Sequence, residues 1–211
     1  RQRHLTIPCE MCIRDSYDPD LCGNLPQLEA IINSEELHII SHAENNVFIH
    51  YYSKKTPKLD YRALGNQFVF QTGRKLEFYG TPFCHAPGSF VTYDTKTKTL
   101  FSSDLFGSYD TDWALFAKLD PACQSCASQQ TCPQSGKECP LHLIGQFHQQ
   151  IMTSNKALSL ALDTIESIDI ERIAPQHGSI LTNKNDVQTV IRYLRGMEHV
   201  GIEYLIAEHL I

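Results

Sequence analysis

The chain has 211 residues, of which 42% are hydrophobic and 20% are charged. This composition supplies enough apolar side chains for one globular domain and excludes an intrinsically disordered chain. Its 18 basic and 24 acidic residues give a formal net charge of −6, so there is no basic excess for binding nucleic acid. No apolar run approaches the roughly 18 residues that cross a bilayer, and the first residues lack the apolar core of a signal peptide. We therefore expect a cytoplasmic protein that is not anchored in a membrane.

The first 16 residues carry the weakest structural signal. The segment RQRHLTIPCEMCIRDS has no strand or helix period, and its run MCIRDS resembles translated sequencing adapter. We therefore treat residues 1–16 as an unreliable segment and residues 17–211 as one domain.

Strands and helices alternate from Asp18 onward. Asn24 as N-cap and Pro26 in the first turn predict a helix that runs to residue 32. The later elements follow from hydrophobic period and turn residues. The predicted strands cover residues 37–41, 67–71, 76–79, 90–93, 100–103 and 170–174, and the predicted helices cover 44–52, 141–166 and 186–209, the last broken near Gly201. This alternation indicates the α/β class, with helices packed on sheets.

A polar, Cys-rich insertion interrupts this pattern at residues 121–140. Cys123, Cys126, Cys132 and Cys139 follow the spacing C-x₂-C-x₅-C-x₆-C. In a reducing compartment such cysteines are better read as metal ligands than as disulfides. Four thiolates suit a structural zinc ion, and an iron–sulfur cluster would use the same number of ligands. We predict a second metal clip here, and a loop of unligated thiols is the alternative.

Metal-type side chains also follow four predicted elements, where loops hold functional groups on a rigid scaffold. These side chains are Asp18, Asp20, His85, Asp104 and His177. Any one of them is more often structural than functional, so their recurrence at strand ends is what indicates a site.

The segments DPDLCGNLPQLE, TPFCHAPGSF, LFSSDLFGSY and APQHGS resemble the metal-binding loops of one known family. That family comprises the metallo-β-lactamase-fold core of flavodiiron proteins and their flavodoxin-less relatives, the oxygen-binding diiron proteins. The resemblance runs from about Asp18 to the C-terminus and agrees in order and spacing. It implies an αββα sandwich, and because relatives have further strands before their first metal loop, it implies a domain that lacks its N-terminal part.

The resemblance also implies a ligand set. Asp18 and His85 would hold one iron, Asp20 and His177 would hold the other, and Asp104 would bridge them. Carboxylates in the first loop give an oxygen-rich donor set that suits iron, with manganese or zinc as alternatives. A carboxylate bridge can hold two metals roughly 3.5–4 Å apart. No catalytic residue beyond the metal ligands and no organic cofactor is implied.

Two positions depart from the family pattern. Ser16 and Leu21 stand where the family has histidines. One metal is therefore expected to have one His fewer, which means either an open coordination position for O₂ or NO, or a weakly metallated or vestigial site. His42 is not expected to be a ligand. The histidines expected on solvent faces are His38, His50, His142 and His148.

The predicted function is that of a non-haem diiron domain that binds or reduces O₂ or NO, as a sensor. It could act as a flavodiiron-like oxidoreductase or as a non-catalytic gas sensor. A separate redox protein or a fused signalling domain would be its partner, and a homodimer is compatible with the sequence. The alternatives are a metal-dependent hydrolase of the same superfamily, in which a metal-bound hydroxide attacks an ester, and a metal-free interaction domain of the same shape.

Overall fold

A computed structural model describes residues 11–32, 37–109, 114–126 and 130–210. The predictions for residues 1–10 and for residues 127–129 of the Cys-rich insertion lie outside the described residues. The strands are β1 (Met11–Ile13), β2 (His38–Ser41), β3 (Lys58–Asp60), β4 (Gln67–Val69), β5 (Lys75–Gly80), β6 (Phe90–Asp94), β7 (Thr99–Phe101) and β8 (Arg172–Ala174). The α-helices are α1 (Pro19–Cys22), α2 (Leu25–Ile32), α3 (Ala43–Ile49), α4 (Pro140–Ile151), α5 (Asn155–Glu166), α6 (Lys184–Arg195) and α7 (Ile202–Ala207).

The strands form two sheets. The first is parallel and has the order β1-β2-β3, with Ile39 of β2 opposite Lys58 of β3. The second has the order β4-β5-β6-β7-β8; it is antiparallel up to β7, and β8 joins β7 in parallel with Leu100 opposite Ile173. The parallel β7–β8 pair needs a long connection, which contains the Cys-rich insertion and helices α4 and α5.

Neighbouring side chains on one strand explain how the layers stack. Ile39 points to the outer helices and packs with Leu25 and Ile49, whereas Ile40 points between the sheets and packs with Phe78 and Phe90. Successive side chains of a strand face opposite sides, so the first sheet has one face against helices and the other against the second sheet.

The opposite face of the second sheet carries the largest apolar cluster. Val91 and Leu100 of this sheet belong to it together with Leu158, Leu162 and Val187 of α5 and α6. The order helix, sheet, sheet, helix is therefore the four-layer α/β arrangement that the sequence predicts.

Most elements lie where the sequence predicts them, whereas β1, β3 and α1 were not predicted. The predicted helix 141–166 is two helices, because Ser154 caps α5 by accepting a hydrogen bond from the Ala157 N–H. β1, β3 and α1 have three or four residues each, too few to show a hydrophobic period. β1 lies inside the segment in which the sequence shows no period, and it gains its place by pairing with β2.

Within the described ranges, no helix is both long enough and apolar enough to cross a membrane.

Candidate metal centre

The first loop lies between β1 and α2 and presents two carboxylates. Asp18 is the N-cap residue of α1, with Pro19 at the first helical position. Its side chain makes no capping hydrogen bond, so the carboxylate is available to neighbouring loops. It accepts a hydrogen bond from the Ser16 hydroxyl, and its Oδ2 lies 3.0 Å from Nε2 of His85.

His85 lies in a tight loop after β5. The Thr81 N–H donates to the Ser89 carbonyl at 2.9 Å and the Phe83 N–H to the Ala86 carbonyl at 2.8 Å. The Ser89 hydroxyl oxygen also accepts from the Ala86 N–H at 2.9 Å. These bonds hold His85 so that its Nε2 lies 2.8 Å from Oδ2 of Asp104 as well.

Asp104 follows β7 in a loop that is held in place by His148 of α4. The Phe106 N–H donates to Nε2 of His148 at 3.0 Å, while Nδ1 of His148 lies 2.7 Å from the Ile144 carbonyl. Donation to that carbonyl assigns the proton to Nδ1 and leaves Nε2 as the acceptor. His148 therefore fixes the Asp104 loop without contacting the site itself.

His177 follows β8, next to Asp104. The Gln176 N–H donates to the Ser103 carbonyl at 2.7 Å, which ties the two loops together. Nε2 of His177 lies 3.0 Å from Oδ2 of Asp20 and 3.5 Å from Oδ1 of Asp104.

The structure thus brings all five residues together as two half-sites that share Asp104. His85 contacts Asp18 and Oδ2 of Asp104, and His177 contacts Asp20 and lies 3.5 Å from Oδ1 of Asp104. Ligand atoms of Asp18, His85 and Asp104 all lie within 4.8 Å of one another. The second half-site is more open, because the His177 and Asp20 side chains are 44% and 45% exposed against 28% and 22% for His85 and Asp18.

The buried Oδ1 of Asp104 tests whether these residues fit a metal. Oδ1 has no hydrogen-bond partner among the described residues, although its side chain is only 8% exposed. A buried carboxylate oxygen without a partner carries a large desolvation penalty. A cation between Oδ1 and the His177 half-site would remove that penalty, so the donor set fits a metal ion.

The electrostatics of the first half-site also favour a cation. Hydrogen bonds to Asp104 and Asp18 raise the pKa of His85 to about 10, against the opposing effect of burial. Burial tends to raise the pKa of Asp18, but hydrogen bonds with His85 and Ser16 outweigh it and lower that pKa. A proton on His85 thus supplies the positive charge that the carboxylates attract.

Two groups near the centre, the buried His148 and the half-buried Asp15, are not predicted from the sequence. His148 was expected on a solvent face, and this expectation was wrong, because His148 is fully buried. Asp15 was not singled out, yet burial raises its pKa to about 7, with a further contribution from the charge of Asp104. The spacing of Leu141, Ile144 and His148 along one helical face could have revealed the buried His. No comparable signal marks Asp15.

The other discussed positions lie as follows. Ser16 contacts Asp18 through its hydroxyl, and Leu21 packs on an apolar cluster with Cys22. His42 caps α3 by accepting from the Glu44 N–H at 3.1 Å, which is a structural role. Cys123, Cys132 and Cys139 are buried and Cys126 is half-buried, away from the two half-sites.

Comparisons with known proteins agree with this geometry. Residues 9–178 match the model of a family described as ODP family beta lactamase. Type A flavoprotein fprA of Rhodobacter capsulatus is 28% identical over 171 residues, covering 77% of this chain and 32% of that protein. The anaerobic nitric oxide reductase flavorubredoxin of Aeromonas hydrophila is 24% identical over 190 residues, covering 86% of this chain and 34% of that protein.

A solved structure, the peroxy diiron species of the chemotaxis sensor ODP, superposes with a TM-score of 0.72 at 23% identity. The match covers 95% of this chain and 75% of the sensor chain. It confirms the predicted metallo-β-lactamase αββα fold. The chain spans about a third of the length of the two curated relatives.

Proposed function

The chain belongs to the ODP family of β-lactamase-like domains, and from this membership we propose that it holds two iron ions and binds O₂ or NO as a sensor module. Asp18 and His85 would hold one iron and Asp20 and His177 the other, and Asp104 would serve both. When bound, a ferrous pair supplies the two electrons that a diatomic oxidant such as O₂ takes up.

The observation that carries the proposal is the division of Asp104 between the half-sites. Its Oδ2 faces His85 at 2.8 Å, and its Oδ1 faces His177 at 3.5 Å without a hydrogen-bond partner among the described residues. A hydrogen bond to one histidine does not account for the burial of the second carboxylate oxygen. A cation near each oxygen would account for the two distances between Asp104 and the histidines.

The donor types favour iron over zinc. Three carboxylates and two imidazoles form an oxygen-rich set, which suits harder ions than the His-rich sites of hydrolytic zinc enzymes do. Manganese has similar preferences and is the second choice. The exchange of a family His for Leu21 removes one nitrogen ligand beside Asp20.

The half-site of Asp20 and His177 has room for a gas ligand. It is the more exposed of the two, and the Phe147 ring packs against His177 with centroids 5.8 Å apart. Tyr109 in turn packs edge-on against Phe147 at 5.0 Å. An apolar wall beside an open coordination position suits a small uncharged diatomic molecule. The named relatives support this choice, since one is a nitric oxide reductase and another is a sensor solved as a peroxy diiron species.

Sensing is proposed in preference to rapid turnover because one of the solved structures that this chain resembles is that of a chemotaxis sensor. For any turnover, a redox protein is the proposed source of electrons. As partners we propose a fused signalling domain and a second copy of the chain in a homodimer. The proposed location is the cytoplasm.

Metal analysis and a gas titration test this function together. The full chain is purified under nitrogen, loaded with Fe(II), freed of excess metal and analysed for iron. We expect two iron ions per chain and a new visible absorption when air or NO is added. Two zinc ions per chain together with esterase activity, and no optical change in air, would instead support the hydrolase.

Ligand variants test the residue assignment. His85→Ala and His177→Ala should each lose about half of the bound iron, because each removes the imidazole of one half-site. His50→Ala is the matched control, since His50 is exposed at the end of α3. Unchanged iron in both site variants would remove the ligand assignment, and absence of iron in the unmodified chain would favour a metal-free interaction domain.

A further inference from the structure

The Cys-rich insertion has a burial pattern that its composition does not explain. In its described part, residues 121–126 and 130–139, the only buried side chains are those of Cys123, Cys132 and Cys139. All three belong to the apolar cluster that includes Leu141 and Ile144 of α4. The remaining side chains of the insertion are exposed or half-buried. Thiols are therefore the groups that this polar segment directs inward.

The segment around Cys132 forms a tight turn that backbone hydrogen bonds hold in place. The Cys132 N–H donates to the Lys137 carbonyl at 2.7 Å, and the Gly136 N–H donates to the Cys132 carbonyl at 2.9 Å. Gly136 has φ +66°, a conformation that glycine adopts at little cost. The Ser135 hydroxyl and the N–H groups of Ser135 and Gln134 lower the pKa of the Cys132 thiol. Such an arrangement stabilises a thiolate, the form that binds metal.

Cys139 and Cys123 are held by similar means. Cys139 is the N-cap residue of α4, with Pro140 at the first helical position. The Cys139 N–H donates to the Gln130 carbonyl at 3.1 Å. Cys123 lies in a 3₁₀-helix, Pro121–Gln124, that Asp120 caps. Arg192 of α6 anchors this turn by donating to the Gln124 carbonyl at 2.6 Å.

Three of the four thiols, those of Cys123, Cys132 and Cys139, are buried in one apolar cluster. No disulfide joins any of these four residues. Thiolates gathered in a poorly solvated place repel one another, and a cation bound among them would reverse that repulsion.

We propose that Cys123, Cys126, Cys132 and Cys139 form a tetrathiolate site for one zinc ion, separate from the metal centre of the two half-sites. Zinc takes four thiolates at about 2.3 Å in a tetrahedron. Among the described residues, the cysteine sulfur atoms do not form a group within 4.8 Å of one another, as Asp18, His85 and Asp104 do. Zinc binding would therefore draw the four thiols together and hold the insertion against the start of α4.

The test uses the full chain in a His85→Ala/His177→Ala background, so that the first centre does not contribute zinc. After zinc loading and gel filtration, we expect one zinc ion per chain and four thiols protected from alkylation. Cobalt in place of zinc should give the strong visible bands of a tetrahedral thiolate complex. Cys126→Ser changes the most exposed of the four cysteines and should lose the zinc, the protection and the cobalt bands.

Ser125→Ala is the matched control, because Ser125 is exposed beside Cys126 and the change leaves every thiol in place. It should keep all three signals. Circular dichroism establishes that both variants are folded. Equal zinc content in Cys126→Ser and Ser125→Ala would overturn the proposal, as would iron with acid-labile sulfide in this site of the protein isolated under nitrogen.

Discussion

Asp104 is the residue on which both half-sites depend. Its two carboxylate oxygens face different histidines, His85 at 2.8 Å and His177 at 3.5 Å. Asp104 is the carboxylate that these two histidines share. His85 also contacts Asp18, and His177 also contacts Asp20. Under the proposed ligand assignment, a change at Asp104 would therefore affect both metals, whereas a change at Asp20 would affect one.

This difference gives a prediction for Asp104→Asn. The amide keeps the size of the side chain but removes the charge and one ligand oxygen, so iron should be lost from both half-sites. Asp20→Asn should retain iron in the half-site of Asp18 and His85. Iron per chain after anaerobic loading measures both variants. The bridging role is rejected if Asp104→Asn and Asp20→Asn lose the same amount of iron.

His148 predicts a dependence of stability on pH. Burial lowers its pKa from 6.5 to about 4, although the bond to Ile144 and the charge of Asp104 oppose this shift. Between these pH values the unfolded chain binds a proton at His148 and the folded chain does not, so the contribution of His148 to stability is complete above pH 6.5 and is lost as pH drops towards 4. The raised pKa of Asp15 acts in the opposite direction over the same range, so the contribution of His148 is the difference between the unmodified chain and His148→Gln. The shift corresponds to about 3 kcal/mol. Urea unfolding of the metal-free protein at pH 7, 6, 5 and 4 measures it.

The control for that prediction is His148→Gln. A glutamine can accept from the Phe106 N–H and donate to the Ile144 carbonyl without titrating in this range. Its unfolding free energy should fall less between pH 6.5 and 4 than that of the unmodified chain. Parallel pH profiles for the two proteins would show that His148 is not the group responsible.

At the scale of elements, the sequence predicts most strands and helices and misses β1, β3 and α1. The short apolar run at residues 37–41 and the helical stretch that begins at Leu141 are identified correctly. The strand Met11–Ile13 depends on pairing with β2, which no local pattern shows. The prediction for His148 was wrong although its spacing from Leu141 and Ile144 indicates a buried face, because the group that it bonds to, the Phe106 N–H, lies far away in the sequence.

The loop that carries Asp104 also predicts the effect of a small substitution. A Cβ atom at Gly107 would lie 2.5 Å from Cε1 of Phe147 and 2.8 Å from the Asp104 carbonyl oxygen. Gly107→Ala should therefore displace the loop from α4, lowering the free energy of unfolding by about 1–3 kcal/mol and weakening iron binding. Chemical denaturation and iron titration measure the two effects.

Gly196→Ala is a suitable comparison at the C-cap of α6, where the nearest atoms to an added Cβ lie 3.6 Å away. It should change the free energy of unfolding by no more than about 0.5 kcal/mol, and it should leave iron binding unchanged. If Gly107→Ala behaves in the same way as Gly196→Ala, the loop is not held against Phe147 as the structure indicates.

At the scale of the whole molecule, the centre joins parts of the chain that lie far apart in sequence. Asp18 and Asp20 follow β1 of the first sheet, whereas His85, Asp104 and His177 follow β5, β7 and β8 of the second. Spacing along the chain could not by itself predict that these loops meet. The family resemblance supplied that expectation, and the ligand-to-ligand distances of 2.8–3.5 Å agree with it.

Because the centre links the two sheets, a bound metal should stabilise the whole fold. A ligand present at 100 times its dissociation constant stabilises the folded state by about 2.7 kcal/mol, which raises the Tm of a chain of this size by roughly 5–10 °C. Mn(II) is the appropriate probe, since it favours carboxylate ligands and avoids thiolates such as those of the insertion. Asp20→Asn should retain part of the rise in Tm, and Asp104→Asn should show none. An equal rise in Asp104→Asn would mean that the metal stabilises the protein from a different site.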